Sequence, residues 1–500
     1  MKATRLLSLV LAAIMLCSCF LVGCGKKTDG GQAGGALQPV DTNVDDESKV
    51  LDLEVVDMGG HIFRFMSRKT SHYHLDTHEI YAESITGDDK LNDAVYNRNA
   101  QLKETYNCDI QEEKTSSPAS SARESLLAGD YVADFLFDEA RLLRTLAADN
   151  LLADTAQLEN IDLSKAWYDP NGLTGLNIGG KVFFIVGDGC ILDDISSYLF
   201  RVNRDFIKEY DSSIDLYQEA REGKWTIDRL YELMVETAED LDGNGILMPG
   251  EDRFGYNAER AVNWAHVAAC GVTLSNVDDA GNYEIPLTPK KELQDAWDAL
   301  KKVLTAPERL NDDGGLTNGL CTFYCCNTGS ILNSTESTYD LGVLPMPKKD
   351  EKQEKYYTTV YFSQLCCFAI PLTNNNAEDV TVGGFASGVE RAAYFLEVFS
   401  YYSMNILTPA FYNQVILKQS VRDIESAEMV EMCLENKIYD PVVGYSFGSI
   451  NIFSAVGSAN QNGIPGTDVN YDTLVSTYES RVAAARKALN NYLNYINTDI

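Results

Sequence analysis

Histidine and tryptophan are scarce in this chain, with five and four in 500 residues. Positive charge is also in deficit: 41 Lys and Arg stand against 74 Asp and Glu, a formal net charge of −33. Nucleic-acid binding needs a basic footprint, so this balance argues against DNA or RNA as a partner and fits a protein kept soluble outside the cell. Enzyme signatures are missing as well. There is no G-x-S-x-G, no H-E-x-x-H and no Walker loop. Asp and Glu are too abundant for a glycosidase carboxylate pair to stand out. His72, His74 and His78 cluster in "SHYHLDTH", but their spacing matches no closed zinc pattern, so a solvated loop is expected. No internal repeat is visible. The apolar fraction, 45%, is that of an ordinary globular body.

The N-terminus reads differently from the rest. Lys2 and Arg5 precede Leu6 to Val22, which is apolar apart from Ser8 and Ser18. This is the layout of a secretory signal peptide over residues 1–23. "LVGC", Leu21 to Cys24, directly follows the apolar run and resembles the lipobox of bacterial lipoproteins. The resemblance implies cleavage before Cys24 and a diacylglyceryl lipid on its thiol, hence a firm anchor in the membrane. Residues 24–50 are rich in Gly, Asp and Ser and read as a flexible tether. About 450 residues follow, too many for one core and suited to two lobes.

Of twelve cysteines, Cys17 and Cys19 leave with the signal and Cys24 carries the lipid. The remaining nine are an odd number. They include the adjacent pairs Cys325–Cys326 and Cys366–Cys367 in apolar, strand-like runs. Buried free thiols are therefore expected rather than a disulfide framework.

Along the body, "HIFRFMS" alternates like a strand. In "DDKLNDAVYNRNAQLKETYNCDIQEE", Leu91, Val95, Leu102 and Tyr106 share a helical face, Asp88 or Asp89 can cap it, and a strand follows. "SSARESLLAGDYVADFLFDEARLLRTLAADNLL" reads helix, strand, helix. Such alternation argues for βαβ units and an open α/β sheet. "GGKVFFIVGD" reads as a buried strand. "KWTIDRLYELMVETAEDL" reads as an amphipathic helix capped by Thr226, with Ile227, Leu230, Met234 and Ala238 inward. The C-terminal "YDTLVSTYESRVAAARKALNNYLNYI" reads as a long helix.

That amphipathic helix runs into "DLDGNGILMPGED". Asp240, Asp242, Asn244, Gly245 and Glu251 fall at positions 1, 3, 5, 6 and 12 of the EF-hand loop pattern. A calcium ion held by Asp240, Asp242, Asn244, the Ile246 carbonyl and Glu251 is expected. Met248 and Pro249 offer little oxygen in the middle of the loop, where water would serve. An empty Asx-rich turn is the alternative.

Several stretches together resemble the extracellular solute-binding lipoproteins of ABC importers, of the carbohydrate-binding type. They are "LVGC", "DDKLNDAVYNRNAQLKETYNCDI", "ADFLFDEARLLRTLAADNLLADTAQL", "EGKWTIDRLYELMVETAEDLDGNG…EDRFGY" and, most specifically, "DLGVLPMPKKDEKQEKYYT". The resemblance implies a two-lobed, type II binding-protein fold, each lobe an open, mostly parallel sheet flanked by helices. It implies lobe one over 51–180, lobe two over 181–315, a return to lobe one over 316–370, and C-terminal helices over 371–500 packing mainly on lobe two. It also implies a sugar held between the lobes, delivery to a permease, and a structural calcium remote from the cleft. A pyranose needs aromatic faces and hydroxyl partners. Trp167, Tyr168, Asp188, Asn263, Trp264 and Tyr361 are the candidate ligand residues, each weighed against plain core packing. Trp225 and Trp297 read as structural. A lipid-anchored enzyme acting on glycans, a peptide or other-solute binder of the same fold, and an adhesin remain the alternatives.

Overall fold

The computed structural model describes residues 46–69, 79–258, 263–278, 282–310, 320–332, 338–417, 424–447 and 471–497. Cys24, His72, His74 and His78 lie outside them. By its internal contacts the chain divides into Met1–Glu47 and Ser48–Ile500. Only Asp46 and Glu47 of the first unit are among the described residues.

The second unit holds two main sheets. The first begins with β1, His61–Arg68, whose His61, Phe63 and Phe65 point inward while Ile62 and Arg64 face out. Helix α1, Lys90–Tyr106, starts at Asp89, whose carboxylate accepts from the Leu91 and Asn92 amides. It buries Val95, Leu102 and Tyr106. β2 is Cys108–Thr115 and β3 is Phe135–Glu139; helix α2, Pro118–Ala128, joins them and α3, Ala140–Ala148, follows. β1 pairs parallel to both β2 and β3.

The second sheet contains β4 (Tyr198–Asn203), β5 (Phe254–Ala258), β6 (Arg309–Leu310), β7 (Cys321–Asn327) and β8 (Leu341–Leu344), in spatial order β8-β4-β7-β5-β6. Here antiparallel pairings, β4 with β7 and β8, are as many as parallel ones, β5 with β6 and β7. Further strands are β9 (Thr358–Thr359), β10 (Cys366–Ala369) and β11 (Lys437–Ile438), besides a short antiparallel pair, Asn276–Val277 with Tyr283–Glu284. β10 closes the first sheet antiparallel to β3, giving the order β10-β3-β1-β2. The first sheet is thus mostly parallel, as expected, and the second is evenly mixed.

Between these landmarks run α4 (Pro170–Leu176), α5 (Leu192–Ile195), α6 (Ile227–Glu236), α7 (Asn263–Ala269) and α8 (Lys291–Thr305). Then come α9 (Gly388–Leu417), α10 (Ile424–Leu434) and α11 (Tyr471–Ile496). α6 is capped by Thr226 as expected and buries Ile227, Leu230 and Met234, but it stops before Ala238. All nine cysteines from Cys108 onward are buried and unbridged. Trp225 and Trp297 are core residues. No helix among the described residues is long and apolar enough to cross a membrane.

Two expectations about chain path fail. Residues 316–370 do not return to lobe one as a block: β7 and β8 belong to the second sheet, and among the described residues of this segment only β10 joins the first. A continuous apolar run such as "CTFYCC" shows that a strand is covered on both faces, not which sheet it joins. The later helices do not pack mainly on lobe two either. α10 packs on β8 and β4 of the second sheet, but α11 packs on α3 beside the first, and α9 lies against α1. Phe395 of α9 stacks on Phe63 with ring centroids 3.6 Å apart, and Phe399 lies 5.4 Å from Phe65. Ala392, Phe395, Leu396 and Phe399 recur at helical spacing and complete the aromatic core of the first sheet.

Candidate functional site

The chain passes between the sheets in two segments that touch. Residues 183–186 are buried as expected of "VFFIV", but they form no strand. Ile185 makes only a single bridge, to Phe368 of β10. The chain then turns through Gly187 and α5 into β4. On the return path, Val360 bridges Ser197, the Tyr361 amide donates to the Ser196 carbonyl at 2.9 Å, and the Asn327 amide meets Gln364 at 3.0 Å. These crossings are where two lobes can hinge.

Beside the first crossing lies a cavity of about 360 Å³. One wall is Ala166 to Asn171, another is Gly187 and Asp188 with Asp193 and Asp194 of α5. Tyr412 of α9 lines it too, with Glu431 and Leu434 of α10 and Glu435 just beyond that helix. Lys437 of β11 sits among them.

Lys437 organises this region. Its ammonium lies 2.7 Å from Asp193, 2.6 Å from Asp194 and 3.3 Å from Asp169. Asp169 is also the N-cap of α4, accepting from the Asn171 and Gly172 amides, and it accepts a third bond from the Tyr439 hydroxyl at 2.8 Å. One cation therefore ties together α4, α5 and β11. Burial works against the Lys437 charge, but Asp193 and Asp194 outweigh it and hold the ammonium well above its ordinary range. Burial pushes Asp193 up, while Lys437 pulls it the other way. Burial likewise pushes Asp188 up to about 7, opposed by the Thr408 hydroxyl, which donates to it.

Of the six candidate ligand residues, the structure brings Trp167, Tyr168 and Asp188 together at this cavity. The two aromatics are not free to stack on a ligand. Trp167 is fully buried with its ring edge-on to Tyr401 at 5.5 Å, and the buried Tyr168 donates its hydroxyl to Glu397. Burial pushes that carboxyl up to about 7, with Tyr168 opposing. Trp264 is buried in α7, and Tyr361 lies on the return crossing, its ring 6.4 Å from that of Tyr198. Neither lines the cavity. Asn263 opens α7, and its side chain lies outside the described residues. Sequence reasoning missed Tyr412, Lys437, the Asp193–Asp194 pair and the two glutamates, Glu431 and Glu435. "LDD" just after a chain crossing was the one available signal.

The acidic loop also departs from expectation. Carboxylate oxygens of Asp240, Asp242 and Asp252 lie within 4.8 Å of one another. Glu251 is exposed and outside that group, because the chain turns at Met248–Glu251 and draws Asp252 in instead. Asp252 accepts from the Leu241 amide at 2.8 Å and from the Met248 amide at 2.7 Å, closing the loop at its base. Asp240 accepts from the Gly243, Asn244 and Gly245 amides. Three hard carboxylates at this separation fit calcium, with Asp252 in the place expected for Glu251.

No protein-family model matches the chain, and no curated protein matches it. Solved structures do. UspC of M. tuberculosis is 12% identical, matching 85% of this chain and all of its own, with a TM-score of 0.51. A cyclo/maltodextrin-binding protein complexed with maltotetraose is 12% identical over 87% of this chain and 96% of its own, also with a TM-score of 0.51. The fold is that of a two-lobed solute-binding protein. At this identity the likeness is one of fold.

Proposed function

We propose that the protein is an extracellular substrate-binding lipoprotein. It captures a sugar or oligosaccharide between its lobes, without chemistry, and delivers it to the permease of an ABC transporter. The observation that carries this reading is the cavity beside the paired crossings, lined by residues of both α9 and α10. Closure about such a hinge would bury a ligand from both sides. The missing catalytic motifs and the sugar-bound structural neighbour support it. Small-angle scattering is expected to show compaction when a cognate saccharide is added, with the saccharide recovered intact. Cleavage at catalytic rates, or tight peptide binding with no response to any saccharide, would overturn the reading.

Anchoring through a lipid on Cys24 belongs to the same proposal and rests on "LVGC" after the apolar run. A labelled fatty acid is expected in the wild type and not in Cys24→Ser; equal label in both excludes it.

Calcium in the Asp240, Asp242 and Asp252 loop is proposed as structural. The loop joins α6 to β5 in the second lobe, and none of its residues lines the cavity. Binding to the folded state alone would add about 2.7 kcal/mol when calcium is about a hundredfold above Kd. Chelation should lower the Tm, and Asp242→Ala should remove the calcium-dependent part. An unmoved melting curve under chelation shows the loop to be a plain turn.

A further inference from the structure

The wall of the cavity is fastened to α9 at two points. The Tyr168 hydroxyl donates to the Glu397 carboxyl, and the Thr408 hydroxyl donates to Asp188, just after the crossing segment. Glu397 and Thr408 are about three helical turns apart, so both contacts lie on one face of α9. Between them Gly189 packs on the same helix: a Cβ there would sit 2.9 Å from the Ser400 hydroxyl oxygen. The first half of α9 stacks on β1 through Phe395 and Phe399. The two contacts therefore hold the first crossing against the first sheet. Pro409, next after Thr408, has no amide to give to the Asn405 carbonyl, which weakens the helix at the second contact.

Both fastenings end on a carboxyl whose partner is a neutral donor. Glu397 is 2% exposed and Asp188 is half-buried. Neither has an ion-pair partner among the described residues. Glu397 faces the Trp167 indole and Asp162, with Tyr401 one turn along α9; the field of Lys165 reaches it, but that ammonium is held by Asp52 and lies 3.9 Å from Asp162. Asp188 faces Tyr412 of α9, Asp169, Asp194 of α5 and Lys437 of β11, whose ammonium is held by Asp169, Asp193 and Asp194. Burial favours the neutral form of such a group and pushes both carboxyls up to about 7. Ionisation would add negative charge beside Asp162 at one fastening and beside Asp169 and Asp194 at the other. Water accepts that charge more readily than the wall does, so the ionised forms favour a wall lifted off α9.

We propose that Glu397 and Asp188 make the fastening of the first crossing to α9 proton-sensitive: protonated, they hold the wall down, and ionised, they release it and free the hinge. The device belongs to the fold, whatever solute the lobes capture. An Asp or Glu in water ionises near about 4. The stabilisation from a group raised to about 7 in the fold is complete below about pH 4 and is lost as the pH rises through about 7.

The full-length protein is melted from about pH 5 to about pH 8.5 beside Glu397→Gln, Asp188→Asn and the double variant. Gln and Asn keep the acceptor oxygen and cannot ionise. Between about pH 5 and about pH 8 the Tm difference is expected to move by about 5 °C in favour of the double variant, with the single variants between. Tyr168→Phe removes the hydroxyl that opposes the rise at Glu397, and should shift the midpoint of the change to higher pH. In the wild type, amide exchange across residues 185–197, corrected for the intrinsic effect of pH, should speed up over the same range while β1 stays protected. A Tm difference between double variant and wild type that does not change with pH overturns the proposal. So does corrected exchange at the crossing that is the same at both ends of the range, which decides the matter even if a variant fails to fold.

Discussion

Lys437→Met should lower the Tm by on the order of 10 °C and weaken ligand capture together. The side chain is 6% exposed and the carboxylates it holds, Asp193, Asp194 and Asp169, are 4%, 15% and 10% exposed. Water cannot readily take over from the ammonium there. Removing one partner of a buried ionic group costs about 3–5 kcal/mol, because the charges left behind are neither solvated nor paired. For lobes of this size each kcal/mol corresponds to about 2–4 °C. The loss should also be local in consequence. Asp169 caps α4, and Asp193 and Asp194 lie on α5 at the first crossing. Their repulsion would therefore open the wall of the cavity and loosen the hinge. Adding Asp193→Asn to Lys437→Met removes one of the stranded charges and should recover part of the Tm. A single variant that melts within a degree or two of the wild type would show that the ion cluster does not hold these segments.

The parts of this fold that were legible in sequence are those governed by local chemistry. Asp89 and Thr226 cap helices because a short oxygen-bearing side chain precedes an apolar periodic run, and nothing distant alters that. β1 declares its inner face through alternation. What was not legible is which segments meet. "VFFIV" is as apolar as a strand, yet it spends its length crossing between sheets and finds only one bridge partner. β7 could have joined either sheet on composition alone. Trp167 illustrates the limit at the site: the sequence marks an aromatic near a turn, and the fold decides that Tyr401 rather than a ligand covers it. Lys437 was invisible for the opposite reason. Its three carboxylates lie roughly 240 to 270 residues away along the chain and converge only when α4, α5 and β11 do. The acidic loop falls between these cases. Its spacing named Asp240 and Asp242 correctly as neighbours, while the turn at Met248–Glu251 decided that Asp252 would join them.

The second large effect is expected from Gly255→Ala, and a glycine in the neighbouring loop shows why. Gly255 lies in β5, where the strand passes directly under α6; a Cβ there would sit 1.7 Å from the carbonyl oxygen of Met234. The obstacle is backbone, so no side chain can turn aside. Either α6 must lift from the sheet or β5 must leave its place between β7 and β6, where the Gly255 amide donates to the Glu308 carbonyl. Overpacking ordinarily costs about 1–3 kcal/mol, and a clash with rigid backbone belongs at or above the top of that range. Gly243, in the acidic loop between the same helix and strand, fails differently. A Cβ on it would meet nothing within 4 Å, but its φ is +72°. Ala there costs only the left-handed conformation, about 1–2 kcal/mol, and Asn less. Urea unfolding should therefore rank Gly255→Ala as much the more damaging, with Gly243→Asn nearest the wild type. Because α6 and β5 also set the ends of the acidic loop, Gly255→Ala should blunt the response of the Tm to calcium, whereas Gly243→Asn should keep it. Equal losses from Gly255→Ala and Gly243→Ala would mean that helix and strand can separate without penalty, and that this close approach does not hold the second lobe together.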